Sequence, residues 1–123
     1  KAVQRGTTND TIKSIQVPQI DMSDFMSKLN ACTLPGNRLM KLDIEGSEFF
    51  MLPKLVEKDL LCKNVLNTLT IEWHDYRSWV KRMFTKPERG ANAMLKQSIL
   101  KGRACRIGKQ TSVLTIDDES YIN

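Results

Sequence analysis

The chain has one histidine, two tryptophans and two tyrosines, and aromatic residues make up 7% of its 123 positions. No apolar run comes near the roughly 20 residues that a helix needs to span a bilayer, so this chain carries no membrane segment. Lys1 to Asp10 is polar and has none of the apolar centre of a signal peptide. Cysteine is scarce and odd in number: Cys32, Cys62 and Cys105 are widely spaced. That argues against a disulfide framework and against a zinc site, and predicts three buried or half-buried thiols. The six glycines, at 6, 36, 46, 90, 102 and 108, are too dispersed to form a G-x-G loop. Internal repeats and low-complexity segments are also missing.

What is present is ordinary for one globular domain: 41% hydrophobic and 27% charged residues, with a net charge of +5. The charge is uneven. From Arg77 to Lys109 there are ten basic residues and one acid, Glu88, whereas the remainder holds nine basic and thirteen acidic residues. Such asymmetry marks either an anion-binding surface or a solvated helix face, and the second is favoured.

The chain is organised around Arg38 to Leu55. An apolar run, Leu39 to Ile44, passes through an acidic turn, Glu45-Gly46-Ser47-Glu48, into a helical pattern that starts at Phe49. Strand, tight turn and helix is the arrangement by which open α/β sheets put polar groups at the carboxyl ends of their strands. Gly46 suits a turn that needs positive φ or close backbone approach. The crowding of carboxylates fits a helix N-terminus, which favours negative charge, as well as it fits a functional site.

Around this stretch, partial alternation predicts a short edge-like strand at Ser14 to Pro18, then a helix from Asp24 to Ala31 capped by Asp21 or Ser23. Arg38 to Ile44 reads as a strand covered by helices on both faces. A helix from Ser47 to about Leu61 contains Pro53, which should kink it or delay its start. Thr68 to Trp73 is a second strong strand. A helix from Ser78 to about Thr85 follows, then a break at Lys86 to Gly90, then a helix from Ala91 to Leu100 with Met94, Leu95 and Ile99 at core spacing. Ala104 to Gly108 and Ser112 to Ile116 read as a closing hairpin, and Asp117 to Glu119 as an acidic exit. Two βα units and a terminal hairpin make an α/β chain with parallel strands.

The octapeptide Lys41-Leu42-Asp43-Ile44-Glu45-Gly46-Ser47-Glu48 resembles the K-[ILM]-D-[IV]-E-G-[AS]-E signature of FkbM-type methyltransferases, enzymes that depend on S-adenosylmethionine and have a Rossmann-like class I fold. Val17 to Phe25 resembles the family's strand entering a short D-L-S-D-F helix, and Leu69 to His74 resembles the next strand and its polar end. The octapeptide is specific; the flanking matches fall in the right order, and together they span Ile12 to His74. The resemblance implies the C-terminal half of the methyltransferase domain, in which the last strand is antiparallel. The cofactor's glycine loop and ribose-holding acid then belong to strands upstream, and residues 1–123 form one incomplete domain of a longer enzyme, inactive by itself.

On this resemblance Asp43, at the carboxyl end of the central strand, faces the methyl donor or its acceptor. Asp43 and Glu45 are assigned to the cofactor, S-adenosylmethionine. Glu72 and His74 share a face by strand periodicity. His74 is a natural general base for a hydroxyl acceptor, so His74 and Asp43 are the catalytic assignments. Glu72, Tyr76 and Arg77 are assigned to the acceptor, a small molecule or glycan that would be methylated on oxygen. The blander readings are a strand-end cap for Asp43, a structural histidine for His74 and a helix-start carboxylate for Glu48. Carboxylates Asp43, Glu45 and Glu48 suit a divalent metal, but the sequence supplies no further matched ligand and no metal is assigned. Two other functions stand beside the enzyme: a non-catalytic methyltransferase-like interaction module, and a basic nucleic-acid-binding module on Arg77 to Lys109. The latter lacks the exposed aromatics and motifs of such modules, so no nucleic-acid partner is expected.

Overall fold

A computed structural model describes the side chains of residues 13–32 and 35–116, and the backbone of residues 3–4. The acidic exit expected at Asp117 to Glu119 lies outside the described residues. The elements are β1 (Val3–Gln4), β2 (Lys13–Ser14), α1 (Met22–Ala31), β3 (Leu39–Leu42), α2 (Glu48–Glu57), β4 (Thr68–Glu72), α3 (Ser78–Lys81), α4 (Lys86–Leu100) and β5 (Ser112–Ile116). Strands β1 and β2 pair antiparallel; β3, β4 and β5 form one parallel sheet in that order. The protein is α/β, built on a three-stranded parallel sheet.

The closing hairpin is corrected. Strand β5 runs parallel to β4, with Thr68 beside Ser112 and Glu72 beside Ile116. Residues 104–108 form an irregular strap instead of a strand. Gln110 holds the strap: its Oε1 accepts from the Ala104 amide at 2.7 Å, and its Nε2 donates to the Ile99 carbonyl at 2.8 Å. Arg106 ties the strap to Asp59 at 2.9 Å and to the Glu57 carbonyl at 2.7 Å. With α3 and α4 lying between β4 and β5, the chain has the length and helix that a parallel crossover requires.

The break at Lys86 to Gly90 is also corrected: it is the start of α4. Thr85 Oγ1 accepts from the Glu88 amide at 3.3 Å and donates to Glu88 Oε1 at 2.9 Å, so Thr85 caps the helix, with Pro87 in the tolerant first turn. Met94, expected in the core, is 75% exposed, whereas Ile99 is buried and Leu95 packs at its edge. Helix α2 ends at Glu57 and runs through Pro53 without a break. Helix α1 starts on Asp21, whose Oδ1 accepts from the Ser23 amide at 2.8 Å and the Ser23 hydroxyl at 2.6 Å.

The core lies on one face of the sheet. Met40, Leu42, Leu69, Ile71 and Val113 point into a cluster with Phe49, Leu52, Leu55, Val80, Phe84 and Ile99. Burying Leu52 and Leu55 fully contributes about 1.5–3 kcal/mol each. The other face carries Leu39, Lys41, Ser112 and Leu114, all exposed; Leu39 is 73% exposed. The expectation that β3 is covered on both sides is therefore wrong, because the described helices pack on one side only.

The cysteine reading is overturned. Cys62 and Cys105 form a disulfide, with Cα atoms 5.2 Å apart, and Cys32 is exposed. Leu61 to Lys63 lies antiparallel to Lys109 to Thr111 beside this bond, joined by Lys63 N–H to Lys109 O at 2.9 Å and Thr111 N–H to Leu61 O at 3.0 Å. The odd cysteine count concealed a pair plus one free thiol. The bond ties the segments that enter β4 and β5, at the end of the sheet opposite the acidic turn.

Candidate functional site

Register creates the site. Leu42 pairs with Ile71 in the parallel ladder, so the next residues, Asp43 just past β3 and Glu72 at the end of β4, stand side by side. Two residues beyond Glu72 is His74. Its side chain is 1% exposed.

The acidic turn folds over this end. Ile44 and Ser47 bracket it, with the Ser47 amide donating to the Ile44 carbonyl at 3.2 Å. Its central residues both have positive φ, 53° at Glu45 and 96° at Gly46. Only the second must be glycine for packing reasons: a Cβ there would stand 2.6 Å from Val80 Cγ2. Both readings of Gly46, positive φ and close approach, hold.

Glu48 binds turn and histidine together. It is 0% exposed. Its Oε1 accepts from the Ile44 and Gly46 amides, each at 3.3 Å, and stands 2.8 Å from His74 Nδ1. The helix-start reading of Glu48 is thus correct but incomplete, because the same oxygen also holds the imidazole. This contact fixes the ring orientation, with Nδ1 on Glu48 and Nε2 turned toward the open side of the site.

Nε2 faces three more carboxylates: Asp43 Oδ1 at 3.8 Å, Glu45 Oε2 at 3.8 Å and Glu72 Oε1 at 3.9 Å. One ligand atom each from Asp43, Glu72 and His74 lies within 4.8 Å of the others. The fold thus brings together three residues with ligand-type atoms, drawn from two strand ends and not from the octapeptide alone. Asp43 does not act as a strand-end cap among the described residues; Lys41 Nζ stands 4.0 Å from its Oδ2.

Of the residues assigned from sequence, the structure brings Asp43, Glu45, Glu72 and His74 together. Tyr76 and Arg77 lie on the turn after His74, where the Arg77 amide donates to the His74 carbonyl at 3.2 Å. Their side chains stack on each other, the guanidinium carbon 5.3 Å from the ring centre. Tyr76 and Glu72 share a cleft of about 220 Å³ with Trp73, Lys96 and Thr115, which Asp43 and His74 do not line. Glu48 is the site residue that sequence reasoning left unassigned; its place at the end of the octapeptide was the available signal.

Part of the basic stretch is used internally. Lys96 pairs with Asp75 at 2.9 Å and lies 5.0 Å from the centre of the Trp73 ring. Arg89 donates to the Phe84 carbonyl at 2.9 Å. The Arg106 guanidinium, by hydrogen bonding, holds the Asp59 carboxyl below its usual range.

Comparison of the chain with protein-family models, curated proteins and solved structures returns no match.

Proposed function

We propose that the chain is the C-terminal part of an S-adenosylmethionine-dependent methyltransferase that methylates an oxygen of a small molecule or glycan. The observation that carries this reading is the meeting of the two motif strings at one place. Asp43, Glu45 and Glu48 of the octapeptide converge on His74 of the Leu69-to-His74 string, across 26 residues between Glu48 and His74. The site lies at the carboxyl ends of parallel strands, where open α/β sheets bind ligands.

The described residues fit the cofactor in part. A wall of carboxylates suits the positive sulfonium, and Asp43 and Glu45 are the residues proposed to face it. No glycine loop for the rest of the cofactor occurs in the sequence, and that portion of the site is assigned to another segment of the enzyme. When bound, the cofactor supplies an activated methyl group; the protein's part is alignment and removal of the acceptor's proton. Asp43 and His74 are the proposed groups for that proton, with Glu72 and the Tyr76–Arg77 turn toward the acceptor.

The test is the binding of S-adenosylmethionine to the intact protein by calorimetry, followed by transfer of its labelled methyl group to hydroxyl acceptors. His74→Gln is expected to lower transfer by at least a hundredfold while the Kd for the cofactor changes less than threefold. Folded intact protein that does not bind the cofactor would overturn the reading in favour of an interaction module.

A further inference from the structure

We infer that Asp43, Glu72 and His74 form a binding site for one divalent cation of the Mg²⁺/Mn²⁺ class, with Glu45 at its open side and Glu48 as the residue that aims His74. The inference rests on geometry and stands whether or not the protein transfers methyl groups.

The first argument is the orientation of the histidine. Glu48 Oε1 holds Nδ1 at 2.8 Å, so Nε2 is turned toward three carboxylate oxygens at 3.8, 3.8 and 3.9 Å. None of the three is short enough for a direct hydrogen bond, and the near-equal distances leave room for one cation between Nε2 and the carboxylates.

A second argument is size. Around an ion that binds oxygen at about 2.0–2.2 Å, neighbouring ligands stand roughly 3 Å apart and opposite ones roughly 4.3 Å apart. The three atoms here lie within 4.8 Å of one another.

Charge and support add to this. Glu72 and Glu48 are buried, and buried carboxylates need partners. Glu48 Oε2 is buried with no hydrogen-bond partner among the described residues. A carboxylate behind a metal-bound imidazole is the usual support that fixes ring orientation and raises ligand basicity. The ligand set, oxygen-rich with one imidazole and no thiolate, favours a hard or borderline ion. Glu45, 71% exposed at its side chain, leaves the outer coordination positions open to water or to an oxygen ligand. With an ion bound, Nε2 would be a ligand, so under the methyl-transfer reading His74 takes the acceptor's proton only in the ion-free site, and the carboxylates would take it otherwise.

The experiment uses Mn²⁺ alone with the intact protein, without S-adenosylmethionine or acceptor, so that its result is independent of methyl transfer. Electron paramagnetic resonance and calorimetry are expected to find one Mn²⁺ per chain. Pulsed measurements should show coupling to one imidazole nitrogen that disappears in His74→Gln. Asp43→Asn and Glu72→Gln should each weaken binding at least tenfold. Glu48→Gln should weaken it by about 10–100-fold, as loss of a supporting carboxylate does. Asp59→Asn, which removes a carboxylate at the far end of the sheet, should leave it unchanged. Folded wild-type protein with no saturable Mn²⁺ binding below millimolar concentration would overturn the inference. So would bound Mn²⁺ without nitrogen coupling; that signature needs no variant to fold.

Discussion

Glu48 and Gly46 have different tasks within one turn. Glu48 places its oxygen on two backbone amides and an imidazole, whereas Gly46 makes room for Val80. Gly46→Ala should therefore destabilise the protein by about 2–4 kcal/mol, the sum of a positive-φ penalty and overpacking against Val80. Urea unfolding of the intact protein checks this; a loss under 0.5 kcal/mol would mean that the turn and α3 separate easily. At this scale the sequence was informative about which polar residues reach the strand ends and silent about how they pair. Asp43, Glu45, Glu72 and His74 stand out because strand periodicity and a turn place them at strand ends. The Glu48–His74 contact depends on β3 and β4 lying side by side, which no local pattern states. The same holds for Cys62 and Cys105, separated by 43 residues and hidden by an odd count.

At the scale of elements, caps decide where helices begin. Hydrogen bonds from the Ser23 hydroxyl and the Asp24 amide lower the Asp21 carboxyl to about 2, from its ordinary 3.8. Lys54 lies 3.4 Å from Asp21, and Lys58 joins α2 to Asp24 at 3.1 Å, so the cap also docks α1 on α2. The folded value is below the unfolded one. The cap's stabilisation is thus complete above about pH 4 and is lost as pH falls toward 2. Hydrogen exchange of the α1 amides should accelerate over that window, and Asp21→Asn should flatten the change; an equally steep change in the variant would place its origin elsewhere. Helix α4 shows why some elements were misread. Pro87 and Gly90 are strong breakers in isolation, yet Thr85 and Glu88 form a local start signal that makes Pro87 favourable. Strand β5 was identified within its bounds, but its direction is set by the crossover and not by its own five residues.

For the whole molecule, the sheet has two unlike ends. One carries the carboxylates and His74 at the exits of β3 and β4; the other carries the Cys62–Cys105 bond at the entries to β4 and β5. Fixing the second end lets the first crowd like charges without loosening the strands beneath them. For a closed loop of this length the bond contributes about 4 kcal/mol in the chain-entropy account. Mild reduction should therefore lower the melting temperature, and Cys62→Ala should reproduce that loss while Cys32→Ala does not; equal effects of the two substitutions would show that the bond is not what holds this end. The bond also makes the chain's rigidity depend on redox conditions. Glutathione and thioredoxin in a reducing cytosol keep such pairs as thiols, whereas a secretory lumen or the cell exterior lets them close. A molecule whose β4 and β5 entries are sewn together in this way has a rigidity that follows the redox state of its surroundings, and a reduced preparation of it would be a looser molecule of identical sequence.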